Sequence, residues 1–123
     1  MPISDHLVGG APARFAAGDY LFRTGEVADR FYLIVHGAVA LDLVARGEPH
    51  VIETLHDGDV AGLSWLFEPH RWLFDARAVH DTDALMYLAA DQQVDVALMR
   101  QMAAIAVSRL QATRLQLLDV YAR

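Results

Sequence analysis

In the first two thirds of the chain, short apolar runs alternate with polar turns that contain glycine. Runs rich in aromatic and β-branched residues, bounded by Gly-Asp or Gly-Glu pairs, are typical of β-strands. The pattern predicts strands over residues 20–22, 31–35, 38–44, 51–55, 74–78 and 84–88. Because no helical segment alternates with these runs, we expect an antiparallel sandwich or barrel rather than a parallel α/β sheet.

The last third of the chain, from residue 91 onward, contains neither glycine nor proline and follows a helical pattern. One stripe steps alternately by four and three residues, the spacing of a heptad seam. Its members are Met99, Ala103, Ala106, Leu110, Thr113, Leu117 and Val120. A second apolar stripe contains Leu98, Met102, Ile105, Ala112, Leu115 and Leu118.

A helix with two apolar faces must bury both of them, and one β domain covers only one face. We therefore predict that the seam pairs with the same helix of a second copy, which makes a homodimer. The alternative is a single wide face packed entirely on its own domain. The chain then divides into a flexible leader (1–13), a β-barrel ligand-binding domain (14–90) and a dimerisation helix (91–123).

Composition narrows the possible functions. With 123 residues, of which 54% are hydrophobic, the chain is sufficient for one core. Ten basic residues against sixteen acidic ones leave a net charge of −6, which disfavours nucleic acid as a partner. No apolar run approaches the length of a membrane-spanning helix, and the N-terminal residues lack the pattern of a signal peptide, so we expect a cytoplasmic protein. The absence of cysteine removes disulfides and thiolate chemistry.

Catalytic and metal-binding patterns are weak. The six histidines form neither an HxH nor an HExxH motif, and a strand would direct Glu53 away from His50 and His56. No serine lies in a nucleophile elbow, and lysine is absent. We therefore expect a protein that is not an enzyme and binds no metal.

The order of these elements resembles a known family, the cyclic-nucleotide-binding domain at the N-terminus of bacterial regulators of the catabolite-activator class. The resemblance covers roughly residues 13–122, and the stretch 109–113 also resembles the dimer helix of those regulators. It rests on Gly18-Asp19, Gly25-Glu26, the run FYLIVHGAVAL (31–41), the turn GDVAG (58–62), the strand DARA (75–78) and the long helix. It implies a β-roll or jelly-roll barrel followed by a dimerisation helix, with a cyclic nucleotide such as cAMP or cGMP as ligand.

The resemblance also implies where a ligand binds, in the cassette formed by residues 58–78. Gly62 matches the glycine where the family winds its backbone around a phosphate; the alternative is a simple turn glycine. Thr113 matches a threonine that reaches the purine in cAMP-responsive relatives, or it is a small residue tolerated between two helices. The candidate ligand-binding residues are Gly62, Leu63, Ser64, Trp65, Arg71, Trp72 and Thr113.

Two positions of the cassette depart from the family. Leu63 stands where relatives usually carry a glutamate that accepts a hydrogen bond from the ribose 2′-hydroxyl, and an unpaired buried hydroxyl costs about 1–3 kcal/mol. Trp72 stands in the slot of the arginine that pairs with the phosphate, which leaves Arg71 as the nearest cation. Residues 64–74 resemble those of a subgroup of small stand-alone bacterial proteins. Their aromatic residues either line an open pocket or fill it.

The resulting hypothesis is a regulatory sensor that binds a small, anionic ligand and signals through its dimer helix. Relatives begin a DNA-binding helix-turn-helix where this sequence ends, so output is expected to pass through an unidentified protein partner. Two alternatives stay open. One is a degenerate domain that binds nothing and acts as a dimeric interaction module. The other is a fragment of a transcription regulator that lacks its helix-turn-helix.

Overall fold

The glycine-bounded apolar runs form strands, and the glycine-free segment forms a helix. The structure is a computed structural model that describes the backbone of residues 3–121, with the side chains of residues 3–111 except residue 45. Short 3-10 turns span Ile3–His6, Ser64–Leu66 and Ala89–Asp91. Within residues 3–121 the other elements are β1 (Ala11–Phe15), β2 (Tyr20–Phe22), β3 (Arg30–His36), β4 (Val39–Ala45), β5 (Glu48–Leu55), β6 (Val60–Ala61), β7 (Asp75–Ala78), β8 (Thr82–Leu88) and α1 (Val96–Tyr121).

The strands build two antiparallel sheets, which we call the β-roll. One sheet has the order β1-β8-β3-β6 and the other β2-β7-β4-β5. Alternate side chains of both sheets point inward and form one apolar core. Its large members include Leu21, Phe22, Phe31, Ile34, Val39, Leu41, Leu55, Val60, Trp65, Trp72 and Tyr87. The predicted antiparallel barrel followed by a C-terminal helix is confirmed.

Several boundaries differ from the sequence-based expectation. Residues 11–13, placed in the leader, belong to β1, which pairs with β8, and Ile3–His6 packs against α1. Only Ala13 and Phe15 of β1 turn partly inward, so its apolar alternation is weak. The two residues of β6 lie inside a segment that looked like a turn.

The helix begins at Val96, five residues later than the pattern indicated, because Asp95 caps it. The Asp95 carboxylate accepts a hydrogen bond of 2.8 Å from the Leu98 N–H.

The described part of α1 has one buried face and one exposed apolar face. Leu98 and Met102 are fully buried, and α1 packs on β5. Met99 and Leu110 of the seam are 43% and 68% exposed. Thr113, Leu117 and Val120 lie on the helix beyond the residues whose side chains are described. In the part of α1 whose side chains are described, the β-roll therefore covers the second stripe and leaves most of the seam uncovered.

No helix in the described part of the chain is long and apolar enough to cross a membrane.

The corner between β3 and β4 depends on a glycine. Gly37 has φ +131°, and a Cβ there would meet the Thr82 side chain and lie 2.8 Å from Thr82 Cα. The Thr82 hydroxyl is itself engaged, because it donates to the His80 carbonyl (2.9 Å) and accepts from the Ala38 N–H (3.3 Å). The close approach of the corner to β8 therefore requires a residue without a side chain.

We predict that Gly37→Ala lowers the free energy of unfolding by about 2–3 kcal/mol, because backbone strain and the contact with Thr82 add. Urea unfolding followed by tryptophan fluorescence measures the change. Gly18→Ala is the matched control, since Gly18 has φ +94° but open space around its Cβ position, and it should cost about 1 kcal/mol. Equal costs for the two variants would show that the Thr82 contact contributes nothing.

Candidate functional site

A cavity of about 420 Å³ opens between the cassette and α1, and we call it the cassette cavity. Its walls come from β2 and β4 of the β-roll, the loop between β6 and β7, and one side of α1, which includes the buried Arg109. The structure brings five of the predicted ligand-binding residues together here: Gly62, Leu63, Ser64, Arg71 and Trp72. Two residues of the predicted dimer seam, Ala106 and Leu110, complete the wall on the helix side.

Trp65 is placed elsewhere. Its ring stacks on Phe31 with centroids 4.8 Å apart, and Phe31 stacks in turn on Tyr87 at 5.3 Å. Trp65 is thus a buried core residue outside the cavity lining. The side chain of Thr113 lies outside the described residues.

The Trp72 ring lies close to the backbone of Gly62, which is possible because glycine has no side chain. The φ of Gly62 is +102°, and a Cβ there would lie 2.8 Å from Trp72 Cζ3. The Phe22 ring stacks on the Trp72 ring, with centroids 3.8 Å apart and planes 14° apart. The family resemblance implied that Gly62 lets backbone amides approach an anion, with a simple turn glycine as the alternative. In the structure the neighbour of this glycine is an indole ring.

Arg71 lies at the rim of the cavity because of strand-like pairing. The Gly25 N–H donates to the Trp72 carbonyl (2.9 Å), and the Trp72 N–H donates to the Glu26 carbonyl (3.0 Å). Alternation along this paired segment turns Trp72 inward and Arg71 outward. Arg71 Nη1 donates to the Gly25 carbonyl at 3.2 Å, and Arg71 forms no ion pair within the described part of the chain.

Arg109 is a site residue that the sequence analysis missed. Its side chain is buried between α1 and the β-roll, where Nε donates to Glu53 Oε2 (3.1 Å) and Nη2 to the Val60 carbonyl (2.8 Å). Burial lowers the pKa of the guanidinium, while the charge of Glu53 and its hydrogen bond act in the opposite direction, helped by Asp59. Arginine is basic enough to stay charged under these conditions.

A signal for Arg109 was present in the sequence. It continues the stripe of Leu98, Met102 and Ile105 by a further step of four residues, so it occupies the buried face of the helix. A charged residue on a buried stripe needs a partner on the element that covers it. The other lining residues that were missed are mostly apolar and include Phe22, Leu41, Phe67, Leu73 and Phe74.

A second cavity of about 520 Å³ lies on the opposite side of Arg109. Its lining includes Glu53, Asp59 and Ser108. Arg109 therefore separates two openings, and its guanidinium links α1 to β5 and β6 between them. Among residues 3–111, no group of three or more histidine, aspartate or glutamate side chains is placed to hold a metal ion.

Comparisons with known proteins place these features in context. A family model of the cyclic nucleotide-binding domain matches residues 12–93 of the chain. None of the curated proteins that were compared matches the chain.

Several solved structures share the fold. FixK2 from Bradyrhizobium japonicum has a TM-score of 0.77 and 21% identity, over 90% of this chain and 57% of its own. The c-di-GMP responsive global regulator CLP of Xanthomonas campestris has a TM-score of 0.75 and 19% identity, over 92% and 60%. At these two levels of sequence identity, the similarity shows only that the fold is shared. A regulatory subunit of a cAMP-independent protein kinase A from Trypanosoma cruzi, bound to guanosine, has a TM-score of 0.59 and 25% identity, over 65% and 29%.

The chain spans less than two thirds of the length of each of these three proteins. The second of them is a global regulator, and the third is a kinase regulatory subunit.

We predict that Arg109→Met lowers the free energy of unfolding by about 2–4 kcal/mol. The variant keeps the apolar stem but leaves Glu53 and the Val60 carbonyl without their buried donor. Chemical denaturation measures the loss. Arg100→Met is the matched control on the same helix, because Arg100 is exposed, and it should change stability by less than about 0.5 kcal/mol. A loss no larger for Arg109 than for Arg100 would contradict a structural role for the buried guanidinium.

Proposed function

Because the chain belongs to the cyclic nucleotide-binding domain family, we propose that it is a regulatory sensor with no catalytic role of its own. In this proposal a small, anionic ligand binds in the cassette cavity and changes how α1 lies on the β-roll. The proposal rests on one observation: the cassette and α1 both contribute to the wall of the cavity. Ala106, Arg109 and Leu110 of the helix line the same space as the cassette, so an occupant would contact both parts at once.

Arg109 supplies the route from ligand to helix. Its hydrogen bond to the Val60 carbonyl ends two residues before Gly62, and its ion pair with Glu53 reaches β5. A shift of the cassette on ligand binding therefore changes the partners of a buried charge on α1. Such a group favours one of two discrete arrangements, because leaving it partly paired is costly.

The ligand-binding residues of the proposal are those at the cavity wall, Gly62, Leu63, Ser64, Arg71 and Trp72, with Thr113 retained from the family resemblance. Trp65 supports the cassette from the core instead of touching the ligand. The ligand-binding unit is the β-roll, and the signalling unit is the C-terminal segment 91–123, which contains α1.

The output of the sensor is proposed to pass through a homodimer. The seam positions Met99, Ala103 and Leu110 are exposed apolar residues on the face of α1 that the β-roll leaves uncovered. A second copy of α1 would cover them in heptad register. The dimer then presents a composite surface to a protein partner in the cytoplasm.

A second candidate function has one observation in its favour. The ring of Trp72 already contacts Gly62 and Phe22, in the position that the family resemblance gives to the phosphate. A domain whose nucleotide site is closed in this way would act as a dimeric interaction module without a ligand. A fragment of a longer transcription regulator would keep the same cavity and the same seam.

We predict that Met99→Glu converts the dimer to a monomer, because two glutamates would be buried beside each other across the seam. The expected loss of dimer affinity is about a hundredfold or more. Sedimentation velocity at micromolar concentration measures it. Arg100→Glu adds the same carboxylate one position away, outside the seam, and should leave the dimer intact. A monomeric wild-type chain would contradict the dimer proposal directly.

We also predict that Leu63→Glu strengthens the binding of cAMP by about tenfold, because it adds an acceptor for a ribose hydroxyl that otherwise stays unpaired. Isothermal titration calorimetry of both proteins measures the change. Leu63→Met is the matched control, because it has similar volume and no carboxylate.

Three results are then distinguishable. Binding that improves only in Leu63→Glu supports a cavity that is open but lacks the nucleotide acceptor. Unchanged affinity in all three proteins places cAMP outside the cavity. No binding in any of them removes cyclic nucleotides as ligands of this chain.

A further inference from the structure

The wall of the cassette cavity is mainly apolar. Its inner part is formed by Phe22, Leu41, Leu63, Trp72 and Phe74. Four of these side chains are hydrocarbon, and the one polar group among them, the indole N–H of Trp72, is buried inside the wall. They therefore offer a ligand contact area but almost no hydrogen-bonding surface. A ligand with many polar atoms would bury them unpaired, at a cost for each one. The wall therefore favours a ligand whose buried part is hydrocarbon or aromatic.

The same apolar surface continues to the mouth of the cavity. Phe67 and Leu73 line the opening and are 55% and 63% exposed. Single exposed apolar residues are common, but two large ones beside one cavity form a continuous apolar path from solvent to its floor. Leu110 lies at this mouth too, but a second copy would cover it as part of the seam, whereas Phe67 and Leu73 lie outside the seam.

The charged residues of the cavity lining differ in exposure and in whether they already have an ion-pair partner. Arg109 already has Glu53 as its ion-pair partner. Glu68 lies in the exposed part of the loop. Arg71 stands at the rim without an ion pair in the described part of the chain, and its hydrogen bond goes to an uncharged carbonyl. One cation at the mouth of an apolar cavity matches a ligand with one anionic end.

We infer that the ligand is a small carboxylic acid with an apolar body, either an aliphatic chain or an aromatic ring system. The body lies in the cavity beside Trp72, and the carboxylate meets Arg71 at the mouth, where it stays partly hydrated. A guanidinium pairs with a carboxylate through two parallel hydrogen bonds. This inference rests on the proposed sensor function and names the ligand class of the same cavity.

Isothermal titration calorimetry of the whole chain tests the inference with four probes: decanoate, 2-naphthoate, 1-decanol and cAMP. We expect at least one of the two acids to bind more tightly than 1-decanol and cAMP. The better acid of the two identifies a chain-shaped or a ring-shaped body.

Two variants test the site itself. Arg71→Ala should weaken the acid by about tenfold and leave 1-decanol unchanged, because only the carboxylate uses the guanidinium. Arg14→Ala is the matched control, since Arg14 is an exposed arginine on β1 that pairs with Asp83 far from the cavity. Leu63→Trp fills the cavity and should abolish binding of acid and alcohol alike, whereas Val51→Trp at an exposed position of β5 should not.

The outcomes separate this inference from the sensor function. If cAMP binds more tightly than both acids and Leu63→Trp abolishes its binding, the sensor function stands and the ligand class is wrong. If the acids bind but neither Leu63→Trp nor Arg71→Ala weakens them, they bind elsewhere and the inference is overturned. If none of the four probes binds, the inference and the proposed sensor function both fail.

Discussion

The buried guanidinium of Arg109 is the interaction on which the arrangement of helix and β-roll depends. A charge that has lost its water must keep its partners, and those partners, Glu53 and the Val60 carbonyl, belong to two different strands. The helix is therefore held in one rotation about its axis. That rotation buries Leu98 and Met102, brings Ala106 into the cavity wall and leaves Met99 exposed. The cavity wall and the exposure of the seam therefore both follow from how α1 lies on the β-roll.

The contact between Trp72 and Gly62 determines the chemistry that the cavity offers. A tight backbone turn at a glycine can bring amides close to an anion, but here the adjacent space holds an indole ring stacked on Phe22. Two arginines line the cavity: Arg109 is paired with Glu53, and Arg71 lies at the rim. The family's fold is retained, and the wall of the cassette cavity is mainly apolar, with the exposed Arg71 at its edge. This is the physical basis for considering apolar anions as ligands.

Sequence patterns located six of the eight strands described for the β-roll, all but β1 and β6, together with the helix, because the alternation of apolar residues within a strand or helix is a local property. They missed β1, whose exposed residues alternate weakly and whose pairing with β8 joins Ala11 to Met86. They grouped both tryptophans as ligand-binding candidates, although Trp65 packs on Phe31 in the core and only Trp72 reaches the cavity. The two residues have the same side chain, and only their surroundings differ.

The sequence by itself determined the antiparallel class, the order of the turns and the helix with two apolar stripes. Each of these follows from residues that are neighbours along the chain. Only the tertiary structure decided which stripe of α1 faces the β-roll, that Arg109 is paired inside, and that Arg71 lies at the rim while Trp72 points inward. These outcomes depend on contacts between distant segments, such as Glu53 with Arg109 or Gly25 with Trp72. Local periodicity carries no information about which distant partner a side chain meets.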